Sequence, residues 1–293
     1  LSLHDALPIY DSQGMLWIGT NGGGLNRFDR VSNQWQHFMH DEQNPNSISH
    51  DIVRVVFQDR QKRMWLATEG GGLNQFDPAT NRFTSFRHNP NDYTSISSDE
   101  LRCIYQDSQD DLWIGTYGSG LNKFNPSTGR FTHFRHDPQD SNTICNDYIR
   151  TVHQDQHGFL WIGTQGRGIQ KWNKDTREFE IIPILINVEG QDTMVRSQNS
   201  AVLALTELKN GNFLISSFTD GIHFYNENSK LYEEYNLAGN EQPSGVAEIF
   251  EDRSGNLWIT GLNKIIKYNP ITFNYEEIES WKSAENIAAE TYF

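Results

Sequence analysis

Four copies of one phrase, 48 residues apart, constrain this chain more than any other feature. They read LWIGTNGGGLNRFD from Leu16, MWLATEGGGLNQFD from Met64, LWIGTYGSGLNKFN from Leu112 and LWIGTQGRGIQKWN from Leu160. Trp17, Trp65, Trp113 and Trp161 hold the same place in each. A looser fifth copy, FLISSFTDGIHFYN, starts at Phe213 with Leu214 in the Trp place. A sixth, LWITGLNKIIKYN, starts at Leu257 with Trp258. A fixed period in this range means a repeat architecture, because one unit alone cannot bury its apolar face.

Each unit reads as four short strands, A to D. In the second unit, residues 52–59 (IVRVVFQD) are β-branched and aromatic, which suits strand A. Strand B is Met64–Thr68, strand C Leu73–Asp77 and strand D Arg82–Phe86. The A–B turn is Asp59-Arg-Gln-Lys, and its sisters carry Gly14, Gly158, Gly211 and Gly255 at the fourth place. Asp first and Gly fourth is type I turn chemistry. Four antiparallel strands per unit is the propeller blade pattern. The expected fold is an all-β propeller with six blades' worth of sequence. In LWIGT, Trp and Ile are adjacent, so both faces of strand B should be buried between neighbouring blades. Gly19, Gly115 and Gly163 should leave room for a neighbouring side chain. The Trp should fill the layer between blades, where its N–H needs a partner.

Composition narrows the function. The chain has 293 residues, enough for a large core, and a net charge of −14, from 24 Lys and Arg against 38 Asp and Glu. That balance argues against a nucleic-acid partner, since phosphate contacts need a basic surface. No apolar run approaches the roughly 18 residues of a membrane helix, and residues 181–186 are broken by Pro183. Cys103 and Cys145 fall on neighbouring units; a disulfide between them stays open beside the reading of two free, half-buried thiols. Residues 1–9 (LSLHDALPI) do not match the other units and put Pro8 inside an inner strand. They are read as a non-native scar, leaving the propeller at 10–293. The segment from Asn286 (NIAAETYF) reads as the strand A of a following blade. The chain is thus read as a fragment that either closes a ring of six or was cut from a larger one.

The repeated D-x-x-G-x-[LM]-W-I-G-T-x-G-x-G-L-x-x-F-[DN], as in Asp11-Ser-Gln-Gly-Met-Leu-Trp-Ile-Gly-Thr, resembles the two-component regulator propeller family over residues 10–275. The fifth repeat departs, with Leu208 for Asp and Leu214 for Trp. The resemblance implies a seven-bladed propeller, often two in tandem, in a periplasmic sensor region. In that family a small β-sandwich, a membrane helix and a histidine kinase or diguanylate cyclase follow. Oligosaccharides are the better-known ligands there. The expected function is therefore a ligand-sensing region of an inner-membrane signalling protein, homodimeric at full length, with no catalytic residue, metal or cofactor of its own. Two alternatives stand beside it. One is a dimerisation and signal-transmission scaffold without a ligand. The other is a propeller lyase of the streptogramin-inactivating kind, which also uses a W-containing blade repeat and places a His and acidic metal ligands on the central face. Here His153 lies in a strand A without an identifiable partner.

The loops after strands B and D should emerge on one face of the blade. Asn21, Glu69, Tyr117 and Gln165 stand there, one per unit, and differ while their surroundings repeat. They are the expected ligand-binding positions, against the alternative that exposed loop tips vary freely. Arg54, Arg102 and Arg150 recur near the start of strand A, at the expected channel mouth. They could hold a carboxylate or sulfate bidentately. The structural alternative is an Asp–Arg lattice, because Asp51, Asp99 and Asp147 recur three residues earlier. His40, His88 and His136 open the long D–A loops. One His per blade does not bring three imidazoles within metal-ligand reach, so loop capping is expected. Tyr93 and Tyr117 are candidates for stacking on sugar rings. The Gly-rich stretch joins two strands and lacks the helix a phosphate loop uses. DSQDD from Asp107 lacks the terminal Glu and the Gly of a calcium loop.

Overall fold

The computed structural model describes residues 8–182, 185–186, 195–196, 201–218, 221–237, 239, 245–261 and 264–278. Each copy of the phrase becomes the middle of one four-stranded sheet. Blade one is β1 (Ile9–Tyr10), β2 (Leu16–Gly19), β3 (Leu25–Asp29) and β4 (Gln34–Phe38). Blade two is β5 (Val53–Gln58), β6 (Met64–Thr68), β7 (Leu73–Asp77) and β8 (Arg82–Phe86). Blade three is β9 (Leu101–Gln106), β10 (Leu112–Thr116), β11 (Leu121–Asn125) and β12 (Arg130–Phe134). Blade four is β13 (Ile149–Gln154), β14 (Leu160–Thr164), β15 (Ile169–Asn173) and β16 (Glu178–Ile182). A two-stranded hairpin follows, β17 (Leu185–Ile186) and β18 (Val195–Arg196). Blade five is β19 (Val202–Glu207), β20 (Phe213–Ser217), β21 (Gly221–Asn226) and β22 (Leu231–Glu234). Blade six is β23 (Glu248–Glu251), β24 (Leu257–Thr260), β25 (Ile265–Tyr268) and β26 (Tyr275–Ile278).

Strands lie in chain order in all six four-stranded sheets, and the described residues contain no helix. The fold class is a β-propeller, as the repeat requires. The chain divides into two compact units, Leu1–Gln165 with Gln170–Ile181, and Gly166–Ile169 with Ile182–Phe293. The first carries the four strong repeats and the second the looser fifth and the sixth. Within the first unit, β5 packs beside β9 and β9 beside β13; within the second, β19 packs beside β23. First strands are thus inner, while fourth strands such as β8 and β12 carry exposed residues. The strand expected over 286–293 and most of the connection over 183–199 lie outside the described residues.

Burial follows the sequence pattern. Strands β6, β10 and β14 are buried along their whole length. Trp17, Trp65, Trp113 and Trp161 are all 2% exposed or less. Three of these indoles meet an aromatic ring on the third strand of the next blade: Trp17 meets Phe76 at 5.1 Å, Trp65 meets Phe124 at 5.5 Å and Trp113 meets Trp172 at 5.4 Å between centroids. Such edge-to-face pairs stabilise beyond plain area burial. Trp258, expected to be equally buried, is only half-buried, with the Lys267 ammonium 5.3 Å from its ring. No blade follows it among the described residues. A Cβ at Gly115 would stand 2.5 Å from Cys103 Sγ and 2.8 Å from Ile149 Cγ2, so the small residue is needed where blades three and four meet.

The indole N–H finds its partner in the turn aspartate. Trp17, Trp65, Trp113 and Trp161 each donate to the Oδ2 of Asp11, Asp59, Asp107 and Asp155 at 2.8 Å, and Trp258 to Asp252 at 3.1 Å. The other oxygen holds the turn. Asp107 Oδ1, for example, accepts from Gln109 N at 2.9 Å and Asp111 N at 3.0 Å. The fourth turn residue takes positive φ, easily at Gly14 (83°) but with strain at Lys62 (67°) and Asp110 (68°).

A second device joins neighbouring blades at that same end. Gln58, Gln106 and Gln154 close the inner strands, and their Oε1 atoms accept from Ser12 N, Arg60 N and Ser108 N of the preceding blade at 2.8, 2.8 and 2.6 Å. In the second unit, Glu251 does the same for Lys209 N at 2.9 Å. Cys103 and Cys145 are not joined in a disulfide, the first being half-buried and the second buried; burial pushes the Cys103 thiol up to about 12.

Candidate functional site: an arginine–tyrosine rim

The opposite end of the blades carries the B–C tips and the starts of the inner strands. Residues 52, 100 and 148, just before each inner strand, sit between two tips. Glu69 N, Tyr117 N and Gln165 N donate to the carbonyls of Ile52, Glu100 and Tyr148 in their own blade, each at 3.0 Å. The same three residues form β-bridges with Asn21, Glu69 and Tyr117 of the preceding blade. The Gly-rich turn reinforces this contact. Gly70 N and Gly72 N both donate to Asp99 O of the next blade, at 2.9 and 3.0 Å. Gly72 has φ +73°, and a Cβ there would lie 2.4 Å from Phe86 O, so only glycine fits. The turn is a clasp between blades, which agrees with its not being a phosphate loop.

The expected Asp–Arg lattice does not form. Asp51, Asp99 and Asp147 turn away from Arg54, Arg102 and Arg150. Their Oδ1 atoms accept from His40 N, His88 N and His136 N at 2.7, 2.7 and 2.8 Å. Each arginine is the extra residue of a β-bulge at the start of its inner strand, between Val53 and Val55, Leu101 and Cys103, and Ile149 and Thr151, and a bulge re-aims the side chain it carries, here toward the tip. The histidines cap the loops, as expected. Each Nδ1 meets a carbonyl eight residues on, at Ile48, Ile96 and Ile144, at 2.8 Å.

The arginines pair with the tips instead. Arg54 is ion-paired with Glu69 of its own blade. Arg102 Nη1 donates to the same Glu69 Oε2 across the blade boundary at 3.0 Å, and its guanidinium stands 4.6 Å from the ring of Tyr117 in its own blade. Arg150 donates to Gln165 Oε1 from Nη2 at 2.8 Å and Nε at 3.2 Å. Tyr117 meets Tyr148 edge to face, centroids 4.9 Å apart at 85°. The structure thus joins Arg54, Glu69, Arg102 and Tyr117 through direct contacts, with Tyr148 added, and pairs Arg150 with Gln165. Asn21 is exposed at the tip of blade one and is tied to Ile52 through its backbone. Burial pushes the Glu69 carboxyl up, but hydrogen bonds and charge from Arg54 and Arg102 outweigh it and hold the group below its ordinary value.

Two candidates fall elsewhere. Tyr93 is 87% exposed, but Thr94 O beside it accepts from Phe131 N on the outer strand β12, so that ring sits at the blade periphery. His153 packs its ring 5.6 Å from Tyr105 on the inner strands. Sequence reasoning missed Tyr148, whose place is Ile52 and Glu100 in sister repeats, and Phe218, which aligns with Glu69 and is 60% exposed in the second unit. Aligning all six copies column by column would have shown both.

The stretches 95–118 and 143–166, which run from the entry of an inner strand to the B–C tip in blades three and four, match the model of the two component regulator propeller family. Among solved structures, the chain is similar to the extracellular domain of BT3049 from B. thetaiotaomicron, assigned as a hybrid two component system. Identity is 24% and the TM-score 0.76, over 95% of this chain and 35% of that one. The extracellular domain of BT4673 from the same organism matches at 22% identity and TM-score 0.54, over 96% and 44%. A catalytically inactive virginiamycin B lyase from Staphylococcus aureus, solved with quinupristin, matches at 11% identity and TM-score 0.65, over 94% and 83%. The chain therefore spans less than half of either sensor chain, and these likenesses show the fold alone. No curated protein sequence matches the chain.

Proposed function

This chain carries repeats of the two-component regulator propeller family, and from that premise we propose that it is the ligand-sensing, extracytoplasmic part of a membrane-bound signalling protein. One observation carries the reading. On blades two to four the bond from the tip amide to the carbonyl at the entry of the inner strand recurs at 3.0 Å, while the side chains presented there are Glu69, Tyr117 and Gln165. A constant frame with varied polar and aromatic groups is how a repeat protein displays a recognition surface. The extracellular placement of the similar sensor domains supports the location, and the family supports an oligosaccharide or other small molecule as the ligand. On this reading the segment senses and does not turn over substrate. A kinase or cyclase output, an inner-membrane anchor and a homodimer belong to the full-length protein as parts of the proposal.

The test is calorimetric titration of an oligosaccharide panel against the wild type and the Tyr117→Ala variant. The expected result is a saturable hit that the variant weakens at unchanged unfolding midpoint. A panel with no hit, together with a full-length protein whose signalling survives replacement of all seven tip and arginine residues, would favour the ligand-free scaffold.

A further inference from the structure

Most of the rim's hydrogen-bonding groups are met within the chain, and Arg102 is the informative exception. Its side chain is only 16% exposed, and its Nη1 shares a single Glu69 oxygen with Arg54. Its Nε is buried without a hydrogen-bond partner. A buried donor left unmade costs about 1–3 kcal/mol, and more on a charged group. A guanidinium is built to give two parallel bonds to a planar anion, and one shared oxygen does not use that fork.

Charge and shape add two independent observations. The nine residues at the arginine, tip and strand-entry positions of blades two to four comprise three Arg against Glu69 and Glu100, a formal +1 in a chain of −14. The rest of the surface repels anions, so a small cationic rim is where one would gather. Beside Arg102, Tyr117 and Tyr148 are 39% and 41% exposed. Their edge-to-face contact leaves apolar ring surface open next to the guanidinium. A compact anion such as phosphate would leave those faces unused, whereas the C–H face of a pyranose covers them.

Resting on the sensing reading above, we propose that this rim recognises an anionic pyranoside, a sugar carrying a carboxylate or sulfate. The anion sits on Arg102 in place of Glu69, and the sugar ring packs on Tyr117 and Tyr148. Glu69 is then an internal occupant that the ligand must displace. Because Glu69 belongs to blade two and Arg102 to blade three, the exchange severs a link between two blades. Binding at the rim is thereby coupled to how those blades are held together.

The test uses calorimetry on a matched panel: digalacturonate, galactobiose, N-acetylglucosamine 6-sulfate, N-acetylglucosamine and inorganic sulfate. Uronate or sulfated sugar should bind, and its neutral counterpart should bind at least about tenfold more weakly. Arg102→Lys, which keeps the charge but not the fork, should weaken the acidic hit about tenfold or more. Glu69→Gln should strengthen it by removing the competitor. Cooperative urea unfolding of both variants, with the protein fully folded at the titration conditions, separates binding from folding. Neutral sugars binding at the rim as tightly as acidic ones, with Arg102→Lys without effect, would overturn the anionic inference and leave the sensing reading standing. Inorganic sulfate binding as tightly as the sulfated sugar would overturn the role of the tyrosines. If no member binds, or binding survives Arg102→Lys combined with Tyr117→Ala, the anionic inference fails, and the oligosaccharide panel with the signalling test above decides the sensing reading separately.

Discussion

The Asp–Trp pair of blade three offers the most searching test of the fold argument. Asp107 is 5% exposed and Trp113 1%. Replacing Asp107 with Leu removes three acceptor contacts: Trp113 Nε1 at 2.8 Å and the turn amides Gln109 N and Asp111 N at 2.9 and 3.0 Å. The orphaned indole N–H is buried and costs about 1–3 kcal/mol, and the turn amides, which water can reach, about 1 kcal/mol each. Asp107→Leu should therefore destabilise by about 3–5 kcal/mol. Trp113→Leu should cost about as much, from the lost ring and from the carboxylate oxygen it leaves without its donor. The double variant reproduces Leu208 and Leu214 of the fifth repeat, where both members are absent together. Its loss should fall short of the sum of the singles by about 1–3 kcal/mol, because the indole N–H and the buried acceptor disappear at once. Urea unfolding followed by far-ultraviolet circular dichroism measures all three. If the singles add to the double within about 0.5 kcal/mol, the pair is not an energetic unit and the reasoning is refuted.

Three further outcomes are expected. Glu69 has a folded-state pKa below its ordinary value of 4.5, so its contribution is complete above that pH and is lost as pH falls through the depressed value. The stability gap between wild type and Glu69→Gln should close on acidification in that order, and a gap that widens in acid would contradict the ion-pair assignment. Lys62→Gly should raise stability by up to about 1 kcal/mol, since φ 67° is strained for lysine and free for glycine, less the extra entropy of the unfolded chain; a lower urea midpoint would refute it. Cys103, its thiol pushed up to about 12 by burial, should resist iodoacetamide at pH 8 in the folded protein. Stoichiometric labelling of Cys103 without denaturant would show the thiol to be open.

Periodicity made the fold legible, because the Trp, the Asp and the glycines recur in one register and each has a local reason to be there. The aspartate was legible only in part. Its turn role follows from sequence, while its bond to the indole depends on β10 running back past the end of β9. Even so, the joint loss of Asp and Trp in the fifth repeat was a visible sign that they work together. The lattice of Asp51, Asp99 and Asp147 with the arginines was misread because recurrence at a shared period says nothing about which side of a strand each group faces. The rim was legible as positions and not as pairings. Whether Arg102 reaches its own tip or the tip of the preceding blade is decided by how one sheet twists against the next, and Glu69 could as readily have been an exposed loop residue.

The glutamine latch has a consequence beyond stability. The sockets on β5, β9 and β13 and the backbone N–H groups they receive occur at equivalent positions in successive blades, as do the aspartate carbonyls and the glycine amides at the other end. A tandem copy of one repeat therefore arrives with complementary surfaces on both flanks and needs no compensating change in its neighbours. Blade number can drift through unequal crossing-over while the tip residues diversify separately, since the main-chain bonds made at Glu69, Tyr117 and Gln165 are the same whichever side chain stands there. Modularity of that kind lets a lineage of receptors explore new specificities by shuffling blades, with the mechanical joints already in place.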